Sequence, residues 1–144
     1  MNFIDEGYYI SLSSHEEFTK YSFPSKTMEK YGFNKLNPIF GNTDILAIYI
    51  KEAHKRNIKV NIWFESFYIG NVAPSSDLKN ILSVKPHWGN KNKINADSKE
   101  PTWHPTEHRG YFLDPANPEV ILFLQELIEE ISARYAIDGF NIDY

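Results

Sequence analysis

Residues 58–65, Ile58-Lys59-Val60-Asn61-Ile62-Trp63-Phe64-Glu65, alternate without a break between two kinds of side chain. Successive side chains of a strand point to opposite sides. Ile58, Val60, Ile62 and Phe64 therefore share one face, and Lys59, Asn61, Trp63 and Glu65 the other. The same division occurs twice more. Near the start, Tyr8, Ile10 and Leu12 oppose Tyr9, Ser11 and Ser13; at the end, Phe140 and Ile142 oppose Gly139, Asn141 and Asp143. Strand–helix–strand order implies parallel pairing through crossovers. Strands of a doubly wound sheet are covered on both faces and read as nearly continuous apolar runs. One aliphatic and one polar face instead fit the wall of a barrel with helices outside. The expected fold is α/β, a partial (β/α)8 TIM barrel. A complete one needs ~250 residues, so residues 1–144 are expected to form part of a barrel domain, incomplete at both ends.

Two helices are predicted between these strands. Asn42-Thr43-Asp44 offers capping oxygens to the first free amides, and Ile45, Ile48, Tyr49 and Ala53 then fall on one helical face. His54-Lys55-Arg56 suits the negative end of the helix dipole, and Asn57 the left-handed conformation that ends a helix. The second opens with Asn117-Pro118-Glu119, a cap, a proline in the first turn and an acid where the dipole favours one. Its buried stripe is expected to be Val120, Ile121, Leu124, Leu127, Ile128, Ile131 and Tyr135.

The segment between Phe67 and Pro118 is long and rich in Pro, Asn, Lys and Trp. Loops beyond ~12–15 residues in compact domains tend to be functional lids or disordered. Pro86-His87-Trp88, Trp103-His104 and Gly110-Tyr111-Phe112 argue against plain disorder. Following a strand's carboxyl end, the segment is expected to overhang the end of a barrel where active sites are built.

The net charge of −4 leaves no basic stripe to neutralise phosphates, which excludes a nucleic-acid partner. There are no cysteines, hence no disulfides or thiolate metal sites. No apolar stretch approaches the ~20 residues that span a bilayer, and Met1–Glu6 does not read as a signal peptide.

Two acids and several rings are placed for chemistry. Asp143 ends the last strand on its polar face, where a carboxylate can attack an anomeric carbon or stabilise an oxocarbenium ion; an Asp accepting backbone amides of the next loop is the structural alternative. Glu65 ends the preceding strand on the matching face, as a ligand for substrate hydroxyls or a rim ion pair. Trp63 and Asn141 lie on the same faces, and Trp63 can stack on a sugar or fill the interior. Tyr68, His87, Trp88, Trp103 and His104, in the long segment, are expected to bind substrate. His104-Pro105-Thr106-Glu107-His108 matches the H-x-x-E-H pattern of some zinc peptidases, which needs a helix to align both histidines. Pro105 and Gly110 disfavour one, and neither metal nor cofactor is expected. His15 and His54 are expected at the surface, and Asp114 and Asp138 in turns.

Three segments resemble a known family: Asp44-Ile45-Leu46-Ala47 through Glu52-Ala53-His54-Lys55-Arg56-Asn57-Ile58, Tyr111-Phe112-Leu113-Asp114-Pro115-Ala116-Asn117-Pro118-Glu119-Val120, and Arg134-Tyr135 through Asp138-Gly139-Phe140-Asn141-Ile142-Asp143-Tyr144. Together, in order and with Phe23-Pro24-Ser25, they resemble the bacterial glycosyl-hydrolase-like family 10, related to the α-amylase-type (β/α)8 barrels. The resemblance implies about strands 2 to 4 of a barrel, with the long loop after strand 3. It implies a nucleophile's role for Asp143 and a polysaccharide or oligosaccharide substrate, peptidoglycan glycan strands among them. It also implies a secreted or cell-envelope location, and a general acid on a later strand, so that residues 1–144 alone do not turn over substrate. Three positions depart from the family pattern: Tyr144 stands where a second Asp is frequent, Glu65-Ser66 replaces Asn-Pro after the Trp, and Asn57 replaces Gly. A carbohydrate-binding barrel without catalysis and a zinc hydrolase using His104 and His108 are the rival readings.

Overall fold

The computed structural model describes residues 8–13, 24–33, 43–70, 81–91, 97, 101–103 and 110–143. Three strands, β1 (Tyr8–Ser13), β2 (Val60–Glu65) and β5 (Gly139–Asp143), form one parallel sheet with β2 in the middle. The register is continuous: Ser13 lies opposite Glu65, and Glu65 opposite Asp143. The three strands thus end level, as their matched patterns predict.

Among its described residues, the connection from β1 to β2 carries the helices α1 (Lys26–Lys30) and α2 (Ile45–His54). The Asp44 carboxylate caps α2 by accepting from the Ala47 N–H at 2.9 Å, and Asn57 takes φ of 55° just past its end. The predicted stripe of α2 is out of phase. Leu46 and Ile50 are buried, whereas Ile48 and Tyr49 are 50% and 58% exposed. Nearly the whole first half of this helix is apolar, so periodicity leaves two stripes to choose between; packing against β2 selects the one with Leu46, Ile50 and Ala53. α1 was not predicted. Its N-cap Ser25 accepts from the Met28 N–H at 3.0 Å, and its anchor is Glu130, distant in sequence.

From β2 the chain enters the long segment, whose described parts are ordered. β3 (Tyr68–Gly70) pairs antiparallel with β4 (Tyr111–Phe112), and between them lie a helical turn, α3 (Ile81–Val84), and a 3-10 turn (Pro86–Trp88). The pairing continues through the Leu113 N–H to the Phe67 carbonyl at 2.8 Å and the Asp114 N–H to the Trp88 carbonyl at 2.7 Å. Ile69, Ile81, Leu82, Trp88 and Leu113 are buried. These parts are folded into the core rather than forming a detached lid.

Helix α4 (Pro118–Arg134) has the predicted Asn117 cap, which accepts from the Glu119 N–H at 3.0 Å. It buries Val120, Leu124, Leu127 and Ile131 as expected, and Tyr135 beyond its end, but Ile121 is 45% exposed and Phe123 takes the inner place. The cause is an aromatic cluster to one side: Tyr31, Phe33 and Trp88 each meet Phe123 with ring centroids 5.1–5.4 Å apart. Residues of the four described helices join one core with Val60, Ile62 and Phe64. The described helices therefore lie on the aliphatic face of β2, and on its polar face Trp63 is 37% exposed.

Candidate active site on the polar sheet face

β2 and β5 are pinned at both ends. At the amino ends, Asp138 accepts from the Val60 N–H at 2.7 Å and meets His54 Nε2 at 2.8 Å, while its own N–H donates to the Val60 carbonyl. The Val60 amide, then His54, hold the Asp138 carboxyl below its ordinary pKa. Next along, an added Cβ on Gly139 would meet the end of the Asn61 side chain, which would have to move aside. At the carboxyl ends, the Asp143 carbonyl accepts from the Ser66 N–H at 2.8 Å and the Ser66 hydroxyl at 3.1 Å. Ser66 is itself buried. The backbone carbonyl beside the last carboxylate is thus fixed.

Four of the predicted site residues gather on this face. Trp63 lies opposite Asn141 and Glu65 opposite Asp143 on the neighbouring strand. Adjacent strands run ~4.8 Å apart, and residues in register project to the same side, so the two carboxyl groups are lateral neighbours. The Trp63 indole N–H donates to Asp143 Oδ2 at 2.9 Å. The Trp63 ring is 37% exposed, Asn141 is exposed, and Glu65 and Asp143 are half-buried. An open aromatic face beside two carboxyl groups and an amide can hold a sugar ring and present an oxygen to it.

The remaining candidates are dispersed. Trp88 is a correction: it is fully buried among Tyr31, Phe33 and Phe123, and its N–H donates to Glu119 Oε2 at 2.8 Å, so no face is left for a sugar. The 3-10 turn after Pro86 directs Trp88 inward and His87 outward, where His87 Nε2 meets Glu119 at 3.3 Å. The Trp88 and then His87 contacts lower the Glu119 pKa. Tyr68 packs its ring on Phe112 at 5.2 Å, and Trp103 is 40% exposed. His104, Glu107, His108 and His15 lie outside the described residues. Among those described, no three His, Asp or Glu residues gather into a metal site, and no helix is long and apolar enough to cross a membrane.

Residues 17–144 match the model of the family described as glycosyl hydrolase-like 10. The chain belongs to that family. Among curated relatives, the protein named glycosyl hydrolase DigH from Escherichia coli K12 is 30% identical over 103 residues, 69% of this chain and 22% of that protein. The Shigella flexneri protein of the same name matches equally. Glycosyl hydrolase YngK from Bacillus subtilis is 30% identical over 100 residues, 69% of this chain and 17% of YngK. The chain thus spans about a fifth of the length of these relatives, and its match to the family takes in β2, β5 and the carboxylates they carry.

The Trp63–Asp143 bond escaped sequence reasoning, although its ingredients were visible. Trp63 and Asp143 each occupy the polar face of an alternating strand; only the register puts them two positions apart on adjacent strands.

Proposed function

We propose that the chain supplies part of the active-site wall of a glycoside hydrolase built on a (β/α)8 barrel, with Asp143 as the nucleophile. The observation that carries this reading is the pair of carboxylates, Glu65 and Asp143, in register at the carboxyl ends of adjacent parallel strands, on the face away from the helices. Catalytic groups of barrel enzymes sit at those ends. Among the described residues the helices pack on the aliphatic face of β2, which supports a barrel rather than a doubly wound sheet, whose two faces are both covered.

In the proposed reaction, one Asp143 oxygen attacks the anomeric carbon as the glycosidic C–O bond breaks. The leaving oxygen takes a proton from a second carboxyl group, and water then displaces Asp143. Trp63 and Asn141 contact the sugar, and Glu65 accepts from its hydroxyls. Family membership and the names of the relatives support a carbohydrate substrate. Bacterial polysaccharides, peptidoglycan glycan strands first among them, are the class we assign, with a secreted or cell-envelope setting.

The test is release of new reducing ends from peptidoglycan sacculi by the protein expressed from its complete reading frame. Asp143→Ala is expected to abolish release and Glu65→Gln to weaken it. Binding of sacculi without any release, unchanged in Asp143→Asn, would replace this reading with a non-catalytic carbohydrate-binding role.

A further inference from the structure

We infer that Trp63 is a positioning residue for Asp143, its indole N–H holding one carboxylate oxygen so that the other meets the anomeric carbon; this rests on Asp143 being the nucleophile. A side chain beside an acid on an open sheet face can serve as a stacking platform alone. Three observations point further.

The first is direction. The indole N–H, a donor only, is aimed at Asp143 Oδ2 at 2.9 Å, across to the next strand and two residues along it. A ring placed only for stacking needs no such orientation. The second is support. The Ser66 N–H and hydroxyl fix the Asp143 carbonyl, and the Trp63 bond restrains the side chain that this backbone carries. Both partners sit on strands, which hold geometry more closely than loops. The third is charge. The donor is neutral, so it orients the carboxylate without neutralising it, as a paired guanidinium would.

The bond changes no stoichiometry. An Asp143 oxygen forms the new C–O bond, the glycosidic electron pair leaves with the departing oxygen, and that oxygen is protonated by the general acid. The water that later displaces Asp143 gives its proton to the conjugate base. The Trp63 proton stays on nitrogen throughout.

Replacing Trp63 by 3-benzothienylalanine, which exchanges the N–H for sulfur and keeps the ring system, separates orienting from stacking. In the protein from the complete reading frame, acting on peptidoglycan sacculi, the replacement should lower kcat about 10- to 100-fold, the scale of one hydrogen bond to a charged group. KM should stay within about twofold, because the stacking surface is intact. Replacing Trp63 by 5-fluorotryptophan, which keeps the N–H, should restore kcat. In parallel, Asp143→Asn should shift the Trp63 Nε1–H resonance of the protein from the complete reading frame, and an unmoved resonance would overturn the contact. Wild-type kcat in the benzothienyl variant, with Asp143→Ala inactive, would overturn the role of Trp63 and leave the nucleophile standing. Activity in Asp143→Ala would overturn both.

Discussion

Glu130 on α4 anchors a helix more than a hundred residues away, and Glu130→Gln measures what that anchor contributes. Its carboxylate accepts from the Ser25 hydroxyl at 2.8 Å, from the Lys26 and Thr27 N–H groups at 2.9 Å each, and from Arg134 Nη1 at 2.7 Å. The donors of Lys26 and Thr27 are the free amides that open α1. Burial opposes the charge, but the Thr27 amide and hydroxyl, the Lys26 amide and the Ser25 hydroxyl outweigh it and bring the pKa down to about 2 from the ordinary 4.5. The Glu130 side chain is only 10% exposed, so solvent screening is slight. At ~1.4 kcal/mol per pKa unit, the lowered pKa contributes about 3 kcal/mol at neutral pH. The sign is that of a depressed acid: the contribution is complete above 4.5 and is lost as pH falls towards 2. Because Gln keeps one accepting oxygen, Glu130→Gln should cost about 2–3 kcal/mol at pH 7, a large fraction of ordinary domain stability. Urea unfolding followed by far-UV circular dichroism reads it directly. At pH 3 the gap between wild type and variant should fall below half its neutral value. A gap under about 1 kcal/mol at pH 7, or one that is the same at pH 3, would refute the tertiary capping of α1 by Glu130.

Two further predictions follow from the core. The Tyr135 hydroxyl donates to Asp44 Oδ2 at 2.7 Å, and burial together with that bond pushes the phenol well above its ordinary pKa of 10.0. Tyr135→Phe should cost about 1.5–3 kcal/mol in urea titrations at pH 7. The wild-type advantage is complete below pH 10 and shrinks above it, where the unfolded chain's tyrosine ionises. Trp88→Phe should cost about 2–4 kcal/mol from lost packing and the lost Glu119 bond, and should remove the emission component that acrylamide does not quench. Trp63→Phe should remove a quenchable component instead. Unaltered quenching in Trp88→Phe would place Trp88 at the surface.

Local chemistry made the caps and strands legible. Asp44 and Asn117 accept from amides within three residues, and the Asn57 turn follows from a side chain that tolerates positive φ. The alternation of residues 60–65 and 139–143 was sufficient to place Trp63, Glu65, Asn141 and Asp143 on matching faces. What escaped depends on contacts distant in sequence. Which apolar stripe of α2 turns inward is decided by β2, and the inner place of Phe123 by Tyr31, Phe33 and Trp88. Trp88 looked like a ligand contact because it lies beside His87 in a proline-rich stretch; a single 3-10 turn separates their fates. The short helix α1 carries little periodicity of its own, and its anchor Glu130 lies on another helix.

The account rests on the Asp143 carboxylate being the group that attacks the sugar, and chemical rescue of Asp143→Ala addresses that step alone. The variant, in the protein from its complete reading frame, should release no reducing ends from peptidoglycan sacculi in buffer. With added azide it should resume cleavage and yield a glycosyl azide of inverted anomeric configuration, because azide then occupies the space of the missing carboxylate. Reducing-end release by Asp143→Ala at the wild-type rate without azide would contradict the account.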